Sequence, residues 1–222
     1  TPALTSSDPV ARWNDLSGWD RHATQTNSGR LPQLQTGLIN GQQGIQFTNN
    51  TPDSGATLDQ FLQTTDFGLS QPVQIFAAFR KTGGDTTNPS IYDGSAAGNT
   101  MRLFSSPTGN TINMYAGGYL AGSSTGSHNN FINTSSLFDS TNSVNRANGN
   151  TLSTGNAGAG SPNGVIIGGS PFNDQDADVD FLEFAAFDRA LNSAETVIVE
   201  NYFSSRTNVA LVANDHYAGD TV

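Results

Sequence analysis

The sequence predicts an all-β protein: two antiparallel sheets packed as a sandwich, with one short helix near the C-terminus. Three observations carry this. Ser, Thr, Asn and Gly dominate the 222 residues while Glu and Lys are scarce, a balance of turn formers over helix formers. Short apolar runs recur between turn signals along the whole chain, as many short strands require. A single helix-start signature appears, late in the chain. The 13 Phe, 5 Tyr and 2 Trp argue for an ordered chain, because disordered segments are poor in aromatics.

Taken in order, the candidate strands are 44–47, 73–80, 101–104, 111–115, 164–168 and 179–187. Within the second, Val73-Gln74-Ile75-Phe76-Ala77-Ala78-Phe79 is nearly continuous apolar sequence, the pattern of a central strand buried on both faces. The Asn- and Gly-rich stretches 83–88, 122–130 and 148–164 read as loops. Asn192-Ser193-Ala194-Glu195 is a capping box in which Glu195 reaches back to the cap. Ala194, Val197, Ile198 and Tyr202 follow at helical spacing and predict the docking stripe, with the helix ending near 206–208. Residues 1–208 read as one domain and 209–222 as a C-terminal tail, opening on the apolar run Val209-Ala210-Leu211-Val212-Ala213.

Composition also excludes classes of function. Nine Lys+Arg against 19 Asp+Glu give a net charge of −10, and the only Lys is Lys81. Nucleic acid needs clustered cations on its phosphates, so it is excluded as a partner. No apolar run approaches the roughly 20 residues of a membrane-spanning helix. The chain has no Cys, which rules out disulfides, a thiolate zinc site and a Cys nucleophile. His22, His128 and His216 lack metal-ligand spacing. The opening Thr1-Pro2, without an initiator Met, predicts a processed or excised segment of an extracellular protein.

Several blocks of sequence resemble bacterial laminin-G-like (LamG, concanavalin A-like) domains. They are Val10-Ala11-Arg12-Trp13-Asn14-Asp15-Leu16-Ser17-Gly18 closing on His22-Ala23-Thr24-Gln25, then Asn40-Gly41 before Gly44-Ile45-Gln46-Phe47. The central strand 71–80 and the turn Asn148-Gly149 follow. The strongest block runs from Val165-Ile166-Ile167-Gly168-Gly169 through Asp180-Phe181-Leu182-Glu183 and Phe187-Asp188-Arg189-Ala190-Leu191 to Asn201-Tyr202. The resemblance implies a jelly roll of two antiparallel sheets, a calcium site as in many relatives, and glycan or protein ligands as in some. It also implies that Trp13 is a core residue. The chain departs from the family at Trp19, usually small or polar, and at Val179, usually Gly.

Asp174, Asp176, Asp178 and Asp180 occupy alternate positions. On a strand they would share one face and repel one another, a conflict that Ca²⁺ relieves by gathering several oxygens at about 2.3–2.6 Å. The run is no EF-hand, since its sixth position is Val179 and its twelfth Ala185. Asp15 and Asp20 are candidate partners in such a site. Asp178-Val179-Asp180-Phe181-Leu182-Glu183 is also similar to the Glu-x-Asp-x-x-Glu motif of laminarinase-type glycosidases. That likeness would make Glu183 the acid/base, Asp180 the helper and Asp178 the nucleophile, with the last shortened by a methylene. The same run can serve simply as a solvated acidic loop guarding a sheet edge. For ligand contact the candidates are Trp19, in a Gly-containing turn, and Tyr115 and Tyr119, which flank Ala116-Gly117-Gly118. An exposed ring can stack on the C–H face of a sugar.

The function expected is therefore a non-catalytic extracellular or cell-surface module of a bacterial adhesion system, binding glycans or a cell-surface protein, with Ca²⁺ as its candidate cofactor. Two alternatives stand beside it. The chain could self-associate as the subunit of a surface filament or layer, its 209–213 segment adding to a neighbour's sheet edge. Or it could be a laminarinase-like glycosidase.

Overall fold

The computed structural model describes residues 5–49, 59–83, 88–96, 100–105, 111–125, 129–171, 175 and 177–213. In chain order the strands are β1 (Arg12–Trp13), β2 (Ala23–Thr24), β3 (Gln33–Ile39), β4 (Gln42–Phe47), β5 (Leu62–Thr64), β6 (Val73–Lys81), β7 (Ser90–Gly94) and β8 (Arg102–Ser105). They continue as β9 (Ile112–Tyr115), β10 (Tyr119–Leu120), β11 (Ile132–Phe138), β12 (Ser143–Ala147), β13 (Asn150–Gly155), β14 (Val165–Ile167) and β15 (Val179–Phe187), followed by α1 (Ser193–Thr207). Two antiparallel sheets form a jelly-roll sandwich, one of eight strands in the order β1-β2-β5-β14-β7-β8-β9-β10 and one of seven in the order β13-β12-β11-β6-β15-β4-β3.

The apolar run 73–79 does become a central strand: β6 lies between β11 and β15 and is buried along nearly its whole length. The two Asn-Gly pairs close two-residue hairpins, Asn40-Gly41 between β3 and β4 and Asn148-Gly149 between β12 and β13. All four residues have positive φ, from 48° to 75°, which the tight right-twisted hairpin demands and Asn and Gly tolerate. Val179 starts β15 and is fully buried opposite Phe47 and Lys81.

Part of the expected loop 148–164 is a strand. β13 occupies Asn150–Gly155 and pairs with β12. Its neighbours β11 and β12 are likewise strands with few apolar positions, because the side chains they turn toward the other sheet include Thr134, Ser136, Ser143 and Asn145.

The core between the sheets is built on aromatic edges. Phe181 lies 5.9 Å from Phe47, 5.7 Å from Phe79 and 6.5 Å from Trp13 between ring centroids, and each fully buried ring of this kind contributes about 1.5–3 kcal/mol. A second cluster, Phe76, Ala78, Phe131, Leu182 and Phe203, lies on the outer face of the seven-stranded sheet under α1.

The helix keeps its predicted capping box, with Asn192 Oδ1 accepting from Glu195 N and Glu195 Oε2 from Asn192 N, both at 2.9 Å. Its docking face is not the predicted one. Ala194, Ile198 and Tyr202 are exposed, and Glu200, Asn201, Phe203, Ser204 and Thr207 are buried instead. The reason is polar: Gln74 Nε2 reaches Thr196 Oγ1 at 3.3 Å, Arg146 Nε reaches Glu200 Oε1 at 2.7 Å, and Asn133 Nδ2 reaches Thr207 Oγ1 at 2.8 Å. Beyond α1, Val209 and Leu211 pack on their own chain, while Ala210, Val212 and Ala213 are exposed. Val209 joins the outer cluster, Leu211 is buried, and Val212 N donates to Asn148 O at 2.8 Å.

Candidate functional site

Tyr115 and Tyr119 face each other across the β9–β10 hairpin. Met114, Leu103 and Leu120 of these strands enter the core, so the alternation of a pleated strand sends Arg102, Phe104, Asn113, Tyr115 and Tyr119 to the outer face of the eight-stranded sheet. There Tyr119 is 61% and Tyr115 37% exposed. Tyr119 stands 5.9 Å from Phe104, and its hydroxyl donates to Asn113 Oδ1 at 3.3 Å. The Arg102 guanidinium covers Phe104 at 4.6 Å, while its Nε donates to Ser90 Oγ and its Nη2 to Asn88 O. The hairpin turn is fixed from below. Ala116 N and Gly118 N both donate to Ala157 O, at 2.6 and 2.9 Å, and Gly160 N donates to Ala116 O at 2.7 Å. The two tyrosines thus sit on a pinned turn rather than a loose loop.

Trp19 is 71% exposed, as is Leu16 beside it at 94%. Their loop joins β1 to β2 and is organised by Asp15, whose carboxylate accepts from Ser17 N and Ser17 Oγ at 2.8 Å each and from Arg21 N at 3.0 Å. Burial works to raise the Asp15 pKa, but the bonds from Ser17 and Arg21, with His22 nearby, outweigh it and hold the carboxyl below its usual range. Arg21 lies against both Trp19, at 5.3 Å, and Phe67, at 4.2 Å. The strands β1 and β10 are the two opposite edges of one sheet, so Trp19 and the tyrosine pair do not form one site.

Asp174 and Asp176 lie outside the described residues. Asp178 Oδ1 accepts from Asn49 N at 2.5 Å, and its main-chain oxygen accepts from Thr82 N at 2.9 Å. Asp180 is wholly buried with Arg80 Nε 2.7 Å from its Oδ2, and its Oδ1 has no hydrogen-bond partner. Among the described residues no three His, Asp or Glu side chains converge as a metal site, and Asp15 and Asp20 belong to a loop of the other sheet.

The strand that carries the glycosidase-like residues is bulged between Phe181 and Glu183. Glu183, however, accepts from the Tyr202 hydroxyl and, at 3.1 Å, from Arg206 Nε of α1. Burial and then the Glu183 carboxylate push the Tyr202 hydroxyl up to about 12. Asp180 and Glu183 therefore serve as counter-ions within the fold.

One feature was not legible in the sequence. On the outer, helix-covered side of the seven-stranded sheet lies an open groove of about 590 Å³. Its rim is made by asparagines from four separate turns: Asn40, Asn129 with Asn130, Asn148, and Asn208 at the helix C-cap. Leu38, Ile39, Phe131 and Val209 supply apolar surface, and Arg80 lies over Phe131 at 5.4 Å. Four of these asparagines have positive φ, between 48° and 70°. The only sequence signal was the Asn-Gly turns themselves, which read as hairpin chemistry.

No family model and no curated protein matches the sequence. The structure is similar to a GH54 a-l-arabinofuranosidase (13% identity, TM-score 0.64, 90% of this chain and 51% of that one). It is similar to the binding domain of Paraclostridial Mosquitocidal Protein 1 (13%, TM-score 0.59, 89% and 51%). It is also similar to a heptameric SAP-like pentraxin from Limulus polyphemus (12%, TM-score 0.55, 77% and 88%). A Trypanosoma rangeli sialidase in complex with the inhibitor DANA aligns at 15% identity with a TM-score of 0.56, and this chain covers 92% of itself but a third (33%) of that enzyme. At these identities the likeness establishes the fold, a two-sheet β-sandwich of the jelly-roll kind.

Proposed function

We propose that the chain is a non-catalytic, extracellular glycan-binding module of a bacterial surface or adhesion system. The observation that carries this reading is the Tyr115–Tyr119 pair, two exposed rings set side by side on a pinned hairpin with the Asn113 amide beside them. Aromatic rings offer area and orientation to the C–H face of a pyranose, and the buried Asn113, whose Oδ1 accepts from Gly122 N at 2.9 Å and from the Tyr119 hydroxyl at 3.3 Å, holds that ring in place. The LamG-like blocks of sequence support the reading, as do the binding domain and the sialidase–inhibitor complex among the structural neighbours. The pairing of Glu183 with α1 supports the absence of hydrolysis.

The test is retention on neutral polysaccharides in affinity electrophoresis, run with calcium and with EDTA so that the acidic run 174–180 is examined in the same experiment. Light scattering on the same samples reports self-association. Tyr115→Ala and Tyr119→Ala should each weaken retention about tenfold, the equivalent of about 1.4 kcal/mol. Retention unchanged in the double variant refutes the tyrosine site, and release of reducing ends refutes the non-catalytic reading.

A further inference from the structure

The groove beside α1 has the chemistry of a second saccharide site, and its position makes the module two-sided. Three side-chain amides on its rim, those of Asn129, Asn130 and Asn208, make no hydrogen bond to the described residues. Each offers two donors and an acceptor, which suits vicinal hydroxyls, since those need both. The other two rim amides are already used to hold the walls. Asn40 Nδ2 donates to Arg206 O at 3.2 Å, and Asn148 Oδ1 accepts from Asn133 N at 2.8 Å. Asn208 is the C-cap of α1 and Asn129 N donates to Lys81 O at 2.8 Å, so the backbone that carries these two amides is held and little of it must be ordered on binding.

Charge narrows the ligand class. Arg80 is the one ionised side chain lining the groove among the described residues, and its Nε is paired with the buried Asp180 at 2.7 Å. A pair of that kind presents no net charge, so neither an anionic nor a cationic ligand gains from it. Size fits as well: about 590 Å³ lies within the range of roughly 300–1,000 Å³ common for small-ligand sites. Leu38, Ile39 and Val209 supply the apolar surface on which a sugar ring would rest its C–H face.

The tyrosine pair lies on the outer face of the eight-stranded sheet and the groove on the outer face of the seven-stranded sheet, with the core between them. We propose that the groove binds a neutral saccharide independently of the tyrosine pair, so that one domain bridges two glycan segments. The bridging part rests on the glycan reading of the tyrosine pair; the groove itself does not. Two sites on one rigid body gain avidity and cross-link only if both are filled.

The experiment is a titration of the ¹⁵N-labelled whole chain with neutral tetrasaccharides of glucose, mannose, galactose and xylose, followed by amide chemical shifts. The expected result is two sets of shifting residues, one around Asn129, Asn130 and Asn208 and one around Tyr115 and Tyr119. Asn129→Gly combined with Asn208→Gly keeps the positive-φ backbone permitted and should weaken the groove set at least tenfold while leaving the tyrosine set in place. Tyr119→Ala should do the reverse, and the parent polysaccharide should be cross-linked by the unmodified chain and by neither variant. Shifts at the groove alone uphold the groove and overturn both the bridging and the tyrosine reading. Shifts at the tyrosines alone, or at neither face, overturn the groove. Because the mapping is made on the unmodified chain, the outcome stands even if a variant fails to fold.

Discussion

Replacing Asp93 by Asn removes a carboxyl group that the fold holds away from water. Asp93 is 1% exposed in β7, where Gly94 N donates to its Oδ1 at 2.7 Å and Ser170 Oγ to its Oδ2 at 3.0 Å. Burial is the dominant influence and pushes the carboxyl from its ordinary 3.8 up to about 6, against the opposing bonds from Gly94, Ser170 and Met101 and the charge of Arg102. The folded chain therefore holds this proton more tightly than the unfolded chain does. Its stabilising contribution is complete below pH 3.8 and is lost as the pH rises through about 6. A difference of about two pH units, at about 1.36 kcal/mol each, amounts to about 3 kcal/mol. The assay is urea unfolding of both proteins at a series of pH values. The unfolding free energy of the unmodified chain minus that of Asp93→Asn should fall by about 3 kcal/mol between about pH 3.5 and pH 7. Any constant cost of the amide drops out of that change. A difference that stays flat over this window, or that rises, refutes the reasoning.

Two further substitutions test how the sandwich and its helix are held. Gly168→Ala places a methyl group 2.3 Å from the Phe47 ring at a residue whose φ is +85°, and should cost about 3 kcal/mol or more in urea unfolding. Gly37→Ala, at φ +67° with nothing within 4 Å, should cost only about 1–2 kcal/mol. Arg146→Ala strands the buried Glu200 carboxylate that it grips at 2.7 and 3.1 Å, for a loss of about 3–5 kcal/mol. Combining Arg146→Met with Glu200→Met should recover most of this in thermal unfolding, since no buried charge then remains.

The parts of the fold that could be read were those where one residue type permits one geometry. Asn40-Gly41 and Asn148-Gly149 had to be tight hairpins, the apolar run of β6 had to lie between two layers, and Asn192 with Glu195 had to start a helix. The strands β11 to β13 escaped because Thr134, Ser136, Asn145 and Ser153 interrupt inward rows that otherwise carry Ile132, Phe138 and Leu152. Periodicity records polarity, and here polarity does not alternate. The docking face of α1 escaped for the same reason: Glu200 and Thr207 read as surface residues, yet Arg146 and Asn133 on the sheet receive them in the buried face. The tyrosine pair was visible because its two residues flank a three-residue turn. The groove was not, since residues 40, 129, 148 and 208 meet only through the topology.

The few cations of an otherwise acidic chain bear on what both faces can bind. Of the eight arginines, Arg80 pairs with Asp180, Arg146 with Glu200, Arg189 with Glu195 and Arg206 with Glu183. Three of these pairs join α1 to the seven-stranded sheet or close its first turn, and the fourth lies at the groove. On the other face Arg102 gives its Nε to Ser90 and its Nη2 to Asn88. Cations committed in this way hold elements together and have little left to offer a ligand, whereas the net charge of −10 repels anionic polymers at long range. What the surface does offer is hydroxyl and aromatic chemistry at Tyr115 and Tyr119 on one side and amide chemistry at Asn129, Asn130 and Asn208 on the other. That inventory favours an uncharged, polyhydroxylated partner at each face, and the scarcity of free positive charge is as much a part of the selectivity as the rings and amides themselves.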